Sequence, residues 1–451
     1  MHAYSGSFAV FARTISRGDG GKFARGPQTA PGGLKPNAVA HTQQNTFPGT
    51  WMPLLSCRVA VHGSCRTVPG EHCATIVWAP EEPSLMFSNV YAGRRVLVTG
   101  HTGFKGSWLC TWLLELGADV AGYSLDIPTE PSNFEILALS QRLRHYQGDV
   151  RDREQLGRVF DEFRPEIVFH LAAQSLVRRS YCDPVTTFET NAIGTMNVLE
   201  CMRQRAGVGV GVIITSDKCY RNLDWTWGYR ENDALGGADP YSGSKGCAEL
   251  ITYSYVRSFF NGRQGAAAIA TARGGNVIGG GDWAEDGLVP DCVRAWSKGD
   301  AAVIRHPEAT RPWQYVLDAL SGYLWLGSQL WRRNPQVVGE SYNFGPDAAA
   351  NHRVEVLLRM IAEDWPAARW RVGATGTEGR PEARVLKLST DKALADLEWR
   401  TALTLPEAVH FTTRWYRRYY EKGGADMLEF TVGQIGEYRS RATERGLAWT
   451  T

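Results

Sequence analysis

The chain has 451 residues, 43% of them hydrophobic, with a formal net charge of +2. That length and apolar content allow two or three domains with sizeable cores. The near-neutral charge, with no basic stripe and no apolar run long enough to cross a bilayer, excludes a nucleic-acid partner and a membrane span from the expectations. Nine cysteines lie scattered without metal-ligand spacing or a disulfide framework, as in a reduced cytoplasmic protein that holds no metal.

Residues 1–85 read as an extension rather than a domain. Gly, Pro, Ser, Thr and Gln are frequent, periodicity is missing, and the acids are few: Asp19, Glu71, Glu81 and Glu82. Disorder is the expectation there, with Met86, just before the first strand, as the functional start.

From residue 94 strands and helices alternate, as a doubly wound parallel sheet requires. Arg95-Val96-Leu97-Val98 suits a strand buried on both faces. It breaks into glycines at Gly100, Gly103 and Gly106 before Trp108-Leu109-Cys110-Thr111-Trp112 resumes at helical spacing. In such a strand, turn and helix the first glycine makes the turn, the second lets a pyrophosphate approach the main chain, and the third lets the helix pack on the strand. The first helical N–H groups then face the anion. A second strand over 119–124 leads to Asp126, twenty residues after Gly106, where a carboxylate takes both hydroxyls of an adenosine ribose. An acid there favours NAD over NADP, because a 2'-phosphate would be repelled.

A third strand over 144–150 ends in Asp149-Val150, and an acid-capped helix follows from Asp152 to Phe163. The fourth strand, 166–173, ends in Leu171-Ala172-Ala173, small enough for a cofactor to lie across the switch point of the sheet. Asn191 lies in a long helical stretch. The fifth strand, 212–218, ends in Ser216, Asp217 and Lys218, where a sheet of this kind places its chemistry. Asp239-Pro240 opens a helix to about residue 260 that carries Tyr241 and Lys245 on one face. A lysine ammonium beside a phenol stabilises the phenolate, so the pair is expected to lower the tyrosine pKa and make it a usable base.

After a sixth strand, 268–273, the pattern becomes irregular, with a helix from 317 to about 331, and reads as a smaller domain laid over the cofactor. Asn276 and Arg311 are candidates for gripping a sugar and a diphosphate. Residues 405–420 read as a closing amphipathic helix and 426–451 as a C-terminal tail. The expected division is a dinucleotide-binding domain over 86–273 and a substrate domain over 274–425.

Taken together, the Gly100/Gly103/Gly106 turn, Asp126, Asp149-Val150, Leu171-Ala172-Ala173 and the Tyr241/Lys245 pair resemble the extended short-chain dehydrogenase/reductase superfamily over roughly residues 92–420. Within it the runs Thr99-Gly100-His101-Thr102-Gly103-Phe104-Lys105-Gly106-Ser107-Trp108, Ser124-Leu125-Asp126-Ile127-Pro128-Thr129-Glu130-Pro131, Thr215-Ser216-Asp217-Lys218-Cys219-Tyr220, Gly275-Asn276-Val277-Ile278-Gly279-Gly280-Gly281-Asp282-Trp283 and Arg311-Pro312-Trp313-Gln314 resemble the CDP-glucose 4,6-dehydratases. Nucleotide-sugar epimerases carry small or hydroxyl residues at Asp217-Lys218, and the dTDP-glucose dehydratases carry Asp followed by Glu. The resemblance implies a Rossmann-type α/β fold, a homodimer, and a redox-neutral dehydration of CDP-glucose with NAD. It implies NAD contacts at Gly100, Thr102, Gly103, Phe104, Gly106, Asp126, Asp149, Val150, Leu171, Ala172, Asn191, Tyr241 and Lys245. Substrate contacts are implied at Gln174, Arg179, Asn276 and Arg311. Tyr241 would be the base at the sugar 4-hydroxyl and Ser216 a hydrogen bond to the 4-oxygen. Asp217 would be the acid and Lys218 the base of the elimination, with exchange or sharing of those two roles left open.

Overall fold

The computed structural model describes residues 86–347, 350–373 and 385–451; the extension expected over residues 1–85 lies outside them. Seven parallel strands form one sheet. They are β1 (Arg95–Thr99), β2 (Asp119–Ser124), β3 (Arg144–Gln147), β4 (Ile167–His170), β5 (Val210–Ile214), β6 (Ala268–Gly274) and β7 (Ser341–Phe344), in spatial order β7-β6-β5-β4-β1-β2-β3. The expected doubly wound fold is therefore present, and chain direction across the sheet reverses between β1 and β4. That reversal opens a crevice at the carboxyl ends of the strands. The central strands are buried on both faces because helices cover both, which is why β1, β4 and β5 read as unbroken apolar runs.

Three ends differ from the sequence reading, each for a local reason. β3 stops at Gln147, where the Tyr123 hydroxyl donates to the Asp149 carbonyl at 2.9 Å and draws the chain off the sheet. β4 stops at His170; Ala172 then donates its N–H to Thr99 Oγ1 at 3.2 Å instead of to a strand. β5 stops at Ile214, because Ser216 caps a single turn, Asp217–Cys219, by accepting the Lys218 N–H at 3.3 Å.

Helix α1 (Phe104–Glu115) follows the glycine turn, α2 (Pro240–Tyr255) carries Tyr241 and Lys245, and α3 (Val316–Trp331) lies under β5 and β6. Asp239 caps α2 by accepting the Ser242 N–H at 2.9 Å, with Pro240 at the first helical position. The last 26 residues form more than a tail. After α4 (Leu405–Lys422), α5 (Met427–Glu444) buries Met427, Ile435, Tyr438 and Ala442 in the core beside the sheet. Trp449 then stacks on Tyr438 at 5.7 Å and on Phe87 at 5.3 Å. The outward face of α5 is rich in Glu, Arg and Ser, which hid its apolar stripe.

Asp318, fully buried on α3, joins these parts: one carboxylate oxygen accepts the Ala402 N–H at 2.5 Å and the Tyr438 hydroxyl at 2.9 Å. The other oxygen has no partner among the described residues. Burial pushes its pKa up to about 7. The folded state therefore holds this proton more tightly than the unfolded chain does. Its contribution to stability is full below the unfolded pKa and falls as pH rises towards 7, by up to about 4 kcal/mol. Asp318→Asn keeps the acceptor and removes the titration. Urea unfolding between pH 5 and 8 is expected to show a decline in the native protein that flattens in the variant; an equal decline in both would clear Asp318 as its source.

Candidate active site

The three glycines of the turn do three different jobs. Gly100 has φ +76°, and a side chain there would lie 2.6 Å from the Ala172 nitrogen at the end of β4. A Cβ at Gly106 would lie 2.2 Å from the Gly100 carbonyl oxygen and 2.7 Å from His101 Cα. At Gly103 the only neighbour within 4 Å among the described residues is the Gly100 oxygen at 3.5 Å, so its face is open. No side chain caps α1, whose first N–H groups point over that open face. The residues present thus fit a bound diphosphate.

His101, fully buried, was not singled out by the sequence reading. Its Nδ1 pairs with Ser124 Oγ at 2.8 Å and its Nε2 with His145 Nδ1 at 2.7 Å, linking the turn to β2 and β3. Burial, helped by His145, pushes its pKa down to about 3, so the ring is neutral. The Thr102 hydroxyl donates to the Asp126 carbonyl at 2.6 Å and fixes the residue whose carboxylate stands exposed at the end of β2. Asp149 is turned towards Arg151, with an ion pair of 2.6 Å; burial raises its pKa but that partner outweighs it and holds the carboxyl below its ordinary value. Val150 is buried against Gly194. Phe104 and Leu171 are half-buried against the core on one side of the sheet and Ala172 against the core on the other.

Asn191 is buried and ties the loop after β4 to α2. Its Oδ1 accepts the Gln174 N–H at 2.8 Å, and its Nδ2 donates to the Gln174 carbonyl at 3.0 Å and to Ser244 Oγ at 2.9 Å. The Gln174 amide is itself committed to that loop, with Nε2 donating to the Leu176 carbonyl and Thr187 Oγ1 and Oε1 accepting the Leu176 N–H. Arg179 is exposed on the short helix Val177–Cys182. Asn276 and Arg311 are half-buried; the Asn276 carbonyl accepts the Gln314 N–H at 2.9 Å, and an Arg311 guanidinium N–H donates to the Thr310 carbonyl at 2.9 Å.

Ser216, Asp217, Tyr241 and Lys245 are buried together, with Lys218 half-buried beside them. Ser216 Oγ donates to Asp217 Oδ1 at 2.9 Å. Burial raises the Asp217 pKa against the pull of Lys218, Ser216 and Lys105, and so favours its protonated form. The expected lowering of the Tyr241 phenol is not found. Burial and the nearby Asp217 and Asp239 charges raise it, and a hydrogen bond with Ser216 only partly offsets them. Lys245 is pushed down to about 8 by burial and then by the like charge of Lys105, against the opposing carboxylate of Glu249. Lys105 is the residue that sequence reasoning passed over. It sits inside the glycine turn, yet its charge acts on Asp217, Lys245 and Asp282, three groups from separate parts of the chain. A cation placed between Gly103 and Gly106 was the available signal.

The glycine geometry makes a stability test. Gly106→Ala drives a methyl into backbone and is expected to cost about 1–3 kcal/mol or more, whereas Gly103→Ala, in ordinary extended backbone facing open space, should change stability by less than about 0.5 kcal/mol. Thermal melting of the two variants checks this; equal losses would show that Gly103 is also a packing glycine.

A family model described as GDP-mannose 4,6 dehydratase matches residues 97–412. A CDP-glucose 4,6-dehydratase of Salmonella typhimurium is 45% identical over 360 residues, covering 79% of this chain and 99% of that protein. A dTDP-glucose 4,6-dehydratase of Neisseria meningitidis serogroup B is 29% identical, covering 72% of this chain and 93% of that protein. Among solved structures, a Thermus thermophilus UDP-glucose 4-epimerase in complex with NAD matches with a TM-score of 0.61 and 27% identity, covering 72% of this chain and 99% of that one.

Proposed function

The chain belongs to the GDP-mannose 4,6 dehydratase family, and from that premise we propose that it dehydrates CDP-glucose to CDP-4-keto-6-deoxyglucose with NAD as resident cofactor. It is a hydro-lyase. The observation that carries the choice of substrate is the 45% identity along nearly the full length of a CDP-glucose enzyme, against 29% to a dTDP-glucose enzyme.

Residues 86–273 hold NAD and 274–425 most of the nucleotide sugar. The open face at Gly103 and the uncapped start of α1 receive the pyrophosphate, and the Asp126 carboxylate the adenosine ribose. Held at Gly103, the start of α1 and Asp126, NAD would supply the hydride acceptor and donor that a redox-neutral dehydration needs. Tyr241 takes the proton of the 4-hydroxyl, with Ser216 hydrogen-bonded to the 4-oxygen. Because burial raises the pKa of the phenol, it acts as a base only beside a cation, and Lys245, one turn along the same helix, is the cation proposed for that role. The ketone at C4 acidifies the C5 proton, which Lys218 takes. Asp217, whose pKa burial raises, gives its proton to the departing 6-hydroxyl, which leaves as water. A proton returned to C5 balances the hydride at C6. Arg179, Asn276 and Arg311 contact the nucleotide sugar, and Gln174 serves by holding the loop between Asn191 and the short helix after β4.

The partner is a second copy of the chain. Pro184, Val185, Phe188, Ile193, Leu250 and Ile251 line an apolar groove beside α2, where Val185 and Leu250 are 65% and 58% exposed. The reading also places the protein in the cytoplasm. Its described cysteines are all free, and no helix among the described residues is long and apolar enough to cross a membrane.

Incubation with CDP-glucose and NAD is expected to give the ultraviolet absorbance of a 4-keto sugar in alkali, with deuterium placed at C4 recovered at C6. Product from dTDP- or UDP-glucose but not from CDP-glucose overturns the assignment. Tyr241→Phe should slow turnover by about 10²–10⁴-fold. Gly103→Ala, although stable, should bind NAD more weakly when followed by quenching of protein fluorescence.

A further inference from the structure

Glu249 and Arg273 form an ion pair of 2.8 Å whose side chains are 2% and 3% exposed, and the reaction above uses neither of them. A pair buried this deeply gains little net stability over apolar residues of the same volume, so what else the two groups hold is informative.

Glu249 stands on α2 one turn beyond Lys245 and two beyond Tyr241, so the three share a face. Its carboxylate accepts hydrogen bonds from hydroxyls on three neighbouring chain segments. These are Thr215 just past the end of β5, Thr271 in β6 at 2.9 Å, and Ser341 at the start of β7 at 3.3 Å. Arg273 donates to the Tyr220 hydroxyl at 2.7 Å and to the Glu231 carbonyl at 2.9 Å, and lies over the Tyr220 ring at 5.0 Å. The Tyr220 hydroxyl in turn donates to Asn343 Oδ1 at 2.7 Å. Thr215 and Tyr220 are the two residues that flank the turn carrying Ser216, Asp217 and Lys218. Each end of that turn is therefore fastened to one half of a single ion pair, and the carboxylate half is on the helix that carries the tyrosine and lysine.

We infer that Glu249 and Arg273 are positioning residues that set Asp217 and Lys218, the elimination groups, against Tyr241 and Lys245, the oxidation groups. The inference rests on the dehydratase reading. Backbone hydrogen bonds hold the turn to its neighbours, from the Thr215 N–H to the Ala272 carbonyl at 2.9 Å and from the Gly236 N–H to the Cys219 carbonyl at 2.8 Å, but neither is to the tyrosine helix. A misplacement of about 1 Å in reacting groups can cost about a hundredfold in rate. The oxidation groups sit on a sixteen-residue helix and do not share that weakness.

The test separates the two halves of the reaction. Thr215→Val and Tyr220→Phe each remove one hydroxyl that fastens the turn and leave the ion pair in place. Thr271→Val removes an equivalent hydrogen bond to the same carboxylate without touching the turn. In single turnovers with CDP-glucose, C4 oxidation is followed by the near-ultraviolet absorbance of reduced nicotinamide, and elimination by the 4-keto product. Thr215→Val and Tyr220→Phe should oxidise C4 within about twofold of the native rate but eliminate at least about tenfold more slowly, so that a transient absorbance accumulates. Thr271→Val should show no accumulation, although its melting temperature falls as far as that of Thr215→Val. Loss of both half-reactions together, or the same accumulation in Thr271→Val, overturns the positioning role. If the native protein makes no 4-keto product, the dehydratase reading falls instead; if it does and Thr215→Val and Tyr220→Phe match it, only the positioning role falls.

Discussion

The backbone of the glycine turn and the backbone leaving β4 approach so closely that a side chain at Gly100 would meet the Ala172 nitrogen at 2.6 Å. Most of the site depends on that approach. It brings the Thr99 hydroxyl within reach of both the Ala172 N–H and His170, so the two strand ends either side of the switch point are joined by side chains as well as by the sheet. The chain after β4 then leaves the sheet where Asn191 can take its amide and carbonyl, and Asn191 passes the connection to Ser244 on α2. One steric constraint at a glycine thus sets where the cofactor cleft lies and how the tyrosine helix is hung beside it.

The local chemistry of this arrangement was legible in the sequence. An apolar run ending in spaced glycines, an acid after the second strand, and an Asp-Pro start to a helix with Tyr and Lys four apart are short-range signals. Each corresponds to an element of the fold. What the sequence hid is which neighbour a side chain takes and which distant segment packs on it. Arg151 is two residues from Asp149 and Leu176 two from Gln174, yet spacing alone does not say that Arg151 takes the carboxylate or that Leu176 and Thr187 use the amide. The strand through Ser216 to Lys218 looked longer than it is because Ser216 can cap its own turn, a choice that alternation of side chains does not reveal. α5 reads as a tail because its buried stripe is thin and Trp112, which meets its Tyr438, lies more than three hundred residues away.

Burial pushes Tyr241, Asp217 and Lys245 towards their neutral forms, phenol and carboxyl upwards and amine downwards. That is the condition in which protons can be handed between groups without any of them carrying a costly isolated charge. It also explains why the simple picture of a lysine activating a tyrosine is incomplete here: the same desolvation that strengthens the attraction between them weakens the ammonium that provides it. Lys105 compounds the effect on Lys245, and Glu249 opposes it. The balance is set by a residue of the cofactor turn on one side and a residue of the buried ion pair on the other.

Glycines that look alike on paper act in opposite ways in this chain. At Gly103 the missing side chain leaves space for a ligand. At Gly279, Gly280 and Gly281 the space is already taken: side chains there would run into Val316, Trp415 and Asn133, at 2.7, 2.0 and 2.5 Å. Trp108 on α1 donates its indole N–H to the Gly280 carbonyl at 2.8 Å, and Phe104 lies against Gly279. The run at 279–281 is therefore the place where the later part of the chain packs directly onto the helix that starts at the cofactor turn. Because the Gly103 face is bounded by the same helix, the segment proposed to hold the nucleotide sugar and the turn proposed to hold NAD are built on one continuous contact. A glycine count cannot distinguish a cradle from a packing seam; the atoms opposite each missing Cβ can.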